Sequence, residues 1–192
     1  MDFKFSRQCV QCFGFINKPI FKMINFSIAL YKPQIPPNTG NISRLCVALD
    51  CDLHIVGKTP IRWDEPTLRR AGLDHWNKLR FEHYPSFKVY YQQNQNRRMI
   101  AVTKEASTSL WDFHFQKNDI LLFGNETMGL PPKLLKVLNH SLGIPMWGES
   151  VRSLNLSNSA AIVAYEAYRQ FTNQSILQPN TQKYKRTYFK QK

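Results

Sequence analysis

The chain's apolar residues fall in short strand-like runs that alternate with stretches of helical period, and this alternation limits the fold more than any other feature. "FSIAL" (26–30), "DLHIVG" (52–57), "LRFEHY" (79–84), "RMIAVT" (98–103), "DILLFG" (119–124) and "LGIPM" (142–146) read as strands. Between them, "NTGNISRLCVALD" (38–50) places Ile42, Leu45, Cys46 and Leu49 on one helical face. "DEPTLRRAG" (64–72) has Asp64 as N-cap, Pro66 in the first turn and Gly72 as a stop. "SFKVYYQQN" (86–94), "PPKLLKVLN" (131–139) and a final apolar segment from Ala160 to Phe171 complete the helices. Strands that are apolar on both faces and separated by helices require a parallel sheet covered on both sides. The expected fold class is α/β, a mostly parallel sheet flanked by helices. In such sheets ligands sit beyond the carboxyl ends of the strands, on the loops that follow.

Three of those loops hold more polar chemistry than a turn needs. In "YKPQIPPNTGNISR" (31–44) three prolines stiffen an extended stretch before Asn38, Thr39 and Gly40 turn it into a helix, with Arg44 one to two turns in. The N–H groups of that helix start suit an anion. In "LLFGNETMGLPP" (121–132) Gly124 and Gly129 flank Asn125, Glu126 and Thr127, so backbone can approach a ligand closely. In "IPMWGESVRSLNLSNSAA" (144–161) Ser153, Asn155 and Ser157 precede a helix that needs one cap, Ser157 or Asn158. The surplus beyond that cap calls for a ligand.

The 26 Lys and Arg against 13 Asp and Glu give a net charge of +13, with the basic excess extending into both ends of the chain. That balance points to a polyanionic partner, most simply nucleic acid. Residues 1–22 read as an extension before Met23, residues 23–172 as the domain, and residues 173–192 as a basic tail. No run approaches the length of a membrane span, and the first residues make a poor signal peptide. Cys9 and Cys12 lack a matching second pair for zinc; Cys46 and Cys51 read as small core residues of a reduced, cytoplasmic protein. The five histidines are scattered, and no carboxylate pair has metal spacing, so no metal is expected.

Together, "PxIPxNxGNxxR", "FGxExxGLP" and "IPMxxxxRSLNLSNxxAxxxYEAxRQ" resemble the three ordered motifs of the SPOUT methyltransferases, over about residues 23–170. The similarity is greatest to the short subgroup that methylates the ribose of the tRNA wobble nucleotide, and "WDEPTLRRAGLD" (63–74) adds to it. The resemblance implies a deep C-terminal trefoil knot, an exception to the rule against threading. It implies a homodimer and S-adenosyl-L-methionine as methyl donor to a 2'-hydroxyl of nucleotide 34 in the anticodon loop. It places Val102, Gly124, Ile144, Met146, Ser153 and Leu154 in the cofactor pocket. Arg44, Glu126, Ser153 and Asn155 match the catalytic positions, and Asn38, Asn41, Arg44 and Arg152 the RNA contacts. In this family Arg44 is the proposed proton acceptor, although a guanidinium is almost always charged; pinning a phosphate and stabilising a developing alkoxide suit it equally. The chain departs from the pattern in "WGESV", one residue longer than in some relatives, and at Glu105, where glycine is common. The alternatives are the same chemistry on another tRNA position or on ribosomal RNA, and a non-catalytic RNA-binding relative.

Overall fold

The structure, a computed structural model, describes residues 26–62, 75–148 and 150–173. In chain order its elements are β1 (Ser27–Tyr31), α1 (Pro36–Leu49), β2 (Asp52–Val56), β3 (Phe81–Tyr84), α2 (Phe87–Gln93), β4 (Met99–Val102), β5 (Ile120–Phe123), α3 (Pro132–Leu135), β6 (His140–Leu142) and α4 (Leu156–Asn173). Single 3₁₀ turns at Trp76–Lys78 and Leu110–Asp112 join them. The strands form one six-stranded sheet in the order β3-β2-β1-β5-β4-β6, every pair parallel, as the alternating pattern requires.

Successive side chains of a strand point to opposite faces, and here each face meets its own core. Ile28, Leu30, Leu53, Ile55, Ile100, Leu121 and Phe123 pack on one side against Ile42 and Cys46 of α1 and Ala160, Val163, Ala164 and Ala167 of α4. Ala29, Val56, Met99, Ala101, Ile120 and Leu122 face the other side with Tyr90 of α2. Three alanines on α4 let it lie close to the sheet and α1. Cys46 and Cys51 are buried free thiols, as expected of small core residues.

The strand order places β1 between β2 and β5, so the sheet grows one way from β1 to β3 and the other way from β5 to β6. In sheets of this kind ligands bind at such a reversal, here the carboxyl ends of β1 and β5. The loops carrying the first two motifs flank it.

Several boundaries differ from expectation. The helix at 64–72 lies outside the described residues. Helix α1 begins at Pro36, two residues before Asn38, with Pro36 and Pro37 in its first turn and Ile35 as N-cap. Only Pro33 therefore stiffens the extended stretch, since proline loses nothing where helical N–H groups have no intrahelical partner. Strand β6 covers His140–Leu142 and ends where "LGIPM" was expected to begin. Pro145 cannot donate to a ladder, so Ile144 and Met146 fall in the loop beyond it. Helix α3 is a single turn, followed by Val137 and Leu138 N–H groups that both bond the Leu134 carbonyl, because β6 starts at once. Helix α4 begins at Leu156, four residues before Ala160.

Candidate active site

One chain of hydrogen bonds joins all three motif loops. Its centre is the Glu126 carboxylate, which accepts the Gln34 N–H at 3.0 Å, the Ile35 N–H at 3.1 Å and the Asn38 side-chain amide N–H at 3.1 Å. The carboxylate thus occupies the start of α1, where exposed N–H groups and the helix dipole favour negative charge. Asn38 in turn accepts, through its amide oxygen, a 3.0 Å bond from the Asn155 side-chain N–H. Asn155 completes the sequence by capping α4. Its Oδ1 accepts from the Ser157 N–H at 2.8 Å and the Ser157 hydroxyl at 2.7 Å. The cap is therefore Asn155, in place of the expected Ser157 or Asn158, and Ser157, Asn158 and Ser159 are helical.

The loop presenting Glu126 is a tight hairpin. Asn125 and Gly129 exchange backbone hydrogen bonds of 3.3 and 3.0 Å. The Asn125 side-chain oxygen accepts the N–H groups of Thr127 and Met128 at 3.1 and 2.7 Å. Gly129 closes the turn at φ +66°, a left-handed conformation that suits glycine. A Cβ at Gly124 would stand 2.1 Å from the Gly129 carbonyl carbon and 2.3 Å from the Leu130 nitrogen, so only glycine fits there. Thr127 donates its hydroxyl to the Gln34 side-chain oxygen at 2.6 Å, a second tie between the first two loops.

The third loop leaves β6 under firm restraint and then loses it. Thr103 N–H bonds the Leu142 carbonyl at 3.0 Å, Leu110 N–H the Gly143 carbonyl at 2.8 Å, and Gly143 N–H the Thr108 carbonyl at 2.9 Å. Beyond Gly143, none of the backbone N–H groups among the described residues 144–154 donates to another group of the chain. Half-buried Ile144 and Leu154 lie in this stretch. Backbone donors close to apolar surface and left without protein partners suit a ligand with both polar and apolar parts.

The six residues assigned to the cofactor pocket come together by topology. Val102 ends β4, Gly124 follows β5, and Ile144, Met146, Ser153 and Leu154 follow β6, while Val102 stands in register with both Phe123 and Leu142. These are the carboxyl ends of three adjacent strands. Arg44 and Asn41 are exposed on α1, and Arg152 and Ser153 are exposed in the last loop. Asn38 differs: it is 5% exposed, and its amide faces Glu126 and Asn155 instead of solvent. Gln34 was not singled out in the sequence, because its partners Glu126 and Thr127 lie in a distant loop. A further buried pair braces α1 from behind, Ser43 Oγ and His75 Nε2 at 2.8 Å. The Ser43 hydroxyl donates to the Gly40 carbonyl, so the His75 nitrogen is the donor.

A cluster of shifted titrations lies on the opposite face of the sheet. His54, 2.9 Å from the Tyr90 hydroxyl, has its pKa lowered by burial. Burial also raises Tyr90, and burial with a hydrogen bond to Glu82 pushes Tyr84 up to about 12. The three rings pack edge to face with centroids 4.7–5.6 Å apart, a structural cluster. Tyr165 is 52% exposed beside Tyr168. Among the described residues no three His, Cys, Asp or Glu side chains are grouped to hold a metal. No helix among them is long and apolar enough to cross a membrane.

A parallel sheet with its polar loops tied across a switch point, and a glycine-locked hairpin beside a loop of unpartnered backbone donors, is the arrangement of a ligand-binding α/β enzyme. The SpoU rRNA Methylase family model matches residues 25–165, and the chain belongs to that family. More narrowly, it is 40% identical over 151 residues to the tRNA (cytidine(34)-2'-O)-methyltransferase of Yersinia pestis, covering 75% of this chain and 93% of the relative. A solved structure described as giving structural insights into the 2-OH methylation of C/U34 on tRNA superimposes with a TM-score of 0.73 at 38% identity. It spans 78% of this chain and 97% of its own. The SpoU methyltransferase AviRb of Streptomyces viridochromogenes, solved in complex with AdoMet, gives a TM-score of 0.69 at 25% identity, over 78% of this chain and 59% of its own.

Proposed function

We propose that the protein transfers the methyl group of S-adenosyl-L-methionine to the ribose 2'-hydroxyl of nucleotide 34 in tRNA. The observation that carries this reading is the Glu126–Asn38–Asn155 tether, which ties the three motif loops together. The similarity to the wobble-position enzymes supplies the substrate.

The pocket residues fit the donor. Unpartnered backbone N–H groups after Ile144 suit its adenosine and amino-acid polar atoms, while Val102, Ile144 and Leu154 give apolar walls. Bound there, it supplies a methyl group on a sulfonium, which needs only an aligned oxygen nucleophile. The protein then has to orient the ribose, because methyl transfer in line gains most from positioning. Asn155 and Ser153 stand at the mouth of the last loop to hold the nucleotide. Arg44 pins the neighbouring phosphate and stabilises charge growing on the 2'-oxygen as its proton leaves. Glu126 acts as a positioning residue: three N–H donors already occupy its carboxylate, leaving it poorly placed to accept that proton.

The protein works in the cytoplasm as a homodimer with the knot of its family. Ile162 and Tyr165 of α4, 37% and 52% exposed, leave an apolar stripe that a second copy would cover. Light scattering at micromolar protein is expected to give a dimer; a monomer would overturn that part.

Transfer of labelled methyl from S-adenosyl-L-methionine to bulk RNA, followed by nucleoside mapping, tests the function. Label on the ribose of nucleotide 34 is expected. Label on ribosomal RNA or another tRNA position would keep the chemistry and move the target, and absence of both label and cofactor binding would overturn the enzyme reading.

A further inference from the structure

The carboxyl edge of the sheet continues past the active site along β1, β2 and β3, and its charges differ from those of the amino edge. At the amino edge the arginines are consumed internally. Arg80 pairs with Asp50 at 2.5 Å and with Asp52. Arg98 pairs with buried Asp119 at 2.7 Å. Arg97 bonds the Asn118 carbonyl and the Ser27 hydroxyl at 3.0 and 2.8 Å. At the carboxyl edge Lys32 follows β1, and Lys58 and Arg62 follow β2. All three are exposed, and among the described residues none has an acidic partner.

Their loops form one stitched surface. Tyr31, Val56 and Tyr84 are in register, so the three strands end level, across about 10 Å at ordinary strand spacing. Lys32 N–H bonds the Val56 carbonyl at 2.9 Å, and Gly57 N–H the Tyr84 carbonyl at 2.8 Å. His83 Nε2 donates to the Gly57 carbonyl at 3.0 Å, and the Thr59 hydroxyl donates to the Pro33 carbonyl at 2.5 Å. Pro33 precedes Gln34, which holds Glu126, so the surface runs without a break into the active site.

Lys32 is placed with particular care. It sits at φ +48°, a left-handed conformation that few lysines adopt, with its ammonium 5.3 Å from the Tyr31 ring centroid. Its stem passes Gly57, where a Cβ would lie 2.9 Å from Lys32 Cγ. A backbone held in an uncommon conformation against a glycine is a device for aiming a side chain. What it aims is a cation with no acidic partner among the described residues.

We propose that Lys32, Lys58 and Arg62 form a docking ridge for RNA phosphates, gripping the substrate backbone beside the nucleotide being methylated. The proposal rests on the RNA methyltransferase reading and extends it to the footprint. The ridge binds phosphate without reading sequence, and it acts on the affinity for RNA and not on the chemical step.

The test is fluorescence anisotropy with labelled tRNA between about 0.05 and 0.3 M salt, alongside methylation kinetics. The triple variant Lys32→Gln, Lys58→Gln, Arg62→Gln is expected to lower the salt slope by about 2–3 and weaken tRNA binding roughly 100-fold at 0.15 M salt. Its KM for tRNA rises in step while kcat and cofactor affinity stay unchanged. The charge control Lys78→Gln, Lys117→Gln at the amino edge leaves the slope unchanged. Because Lys58 and Arg62 are exposed, the single variants Lys58→Gln and Arg62→Gln fold regardless, and each lowers the slope by roughly 0.7–0.9. Unchanged slopes in the single and triple variants, with the wild type binding and methylating tRNA, would overturn the ridge alone and point it toward an acidic protein or no partner. A wild type that neither binds nor methylates RNA would overturn the functional reading with it.

Discussion

Replacing Glu126 separates a carboxylate that positions from one that takes a proton. In Glu126→Ala the three N–H groups of Gln34, Ile35 and Asn38 lose their acceptor. Hydrogen bonds to a charged group contribute about 1.5–3 kcal/mol each when desolvated, but two of these lie in exposed surroundings where water replaces the lost partner. The loss in stability is therefore about 2 kcal/mol, well short of the full sum. Activity falls further. Asn38 is released toward Asn155, and a displacement of about 1 Å in a positioned group costs on the order of 100-fold in rate. Glu126→Gln keeps the oxygen that serves Ile35 and Asn38 and sets an NH₂ against the Gln34 N–H, so it loses about 1 kcal/mol and retains activity within roughly 10-fold. Urea unfolding and single-turnover methylation of tRNA measure the two quantities. A tether also makes Glu126 and Asn38 non-additive, with a coupling of about 1–2 kcal/mol in the Glu126→Ala, Asn38→Ala cycle. The reasoning is refuted if Glu126→Gln is as inactive as Glu126→Ala while fully stable, which is the behaviour of a proton acceptor. Additivity within about 0.5 kcal/mol would also refute it.

Arg44→Ala is expected to leave cofactor affinity by calorimetry intact and to lower methylation by at least about 100-fold; equal activity would remove Arg44 from the reaction. Gly124→Ala forces a Cβ against the Gly129–Leu130 backbone and is expected to cost at least about 3 kcal/mol in urea unfolding. Burial lowers the His54 pKa, so the folded state resists a proton that the unfolded chain accepts. Its contribution is absent above the unfolded pKa of 6.5 and turns destabilising as pH falls below it, levelling off at the lower folded value. His54→Gln is expected to flatten that part of the stability–pH curve between neutral pH and the acid range.

The sheet was legible in the sequence because its strands are short, apolar on both faces and separated by helices, which leaves few alternatives. The face of α1 was legible for the same reason, as Ile42, Cys46 and Leu49 repeat at helical spacing. Its start was not, because prolines that usually mark an extended stretch also suit a first helical turn. The last helix was placed four residues late because the polar run before Ala160 read as a loop. Only Asn155, already bonded to Asn38, shows that the run is capped and helical. Motif order identified which loops build the site. The division of labour inside it depended on partners 88 and 117 residues apart, which no local pattern encodes.

Those separations bear on when the site can exist. The cap that starts α4 is the residue that reaches back to α1, and the carboxylate that seats the start of α1 arrives only after β5. No fragment of the chain holds a preformed site, and contacts of this sequence range are among the slowest to close. A protein leaving the ribosome remains inert until α4 has docked. Methyl transfer should therefore return last on refolding, after helical signal and burial of the core, making the reaction its own report that folding is complete.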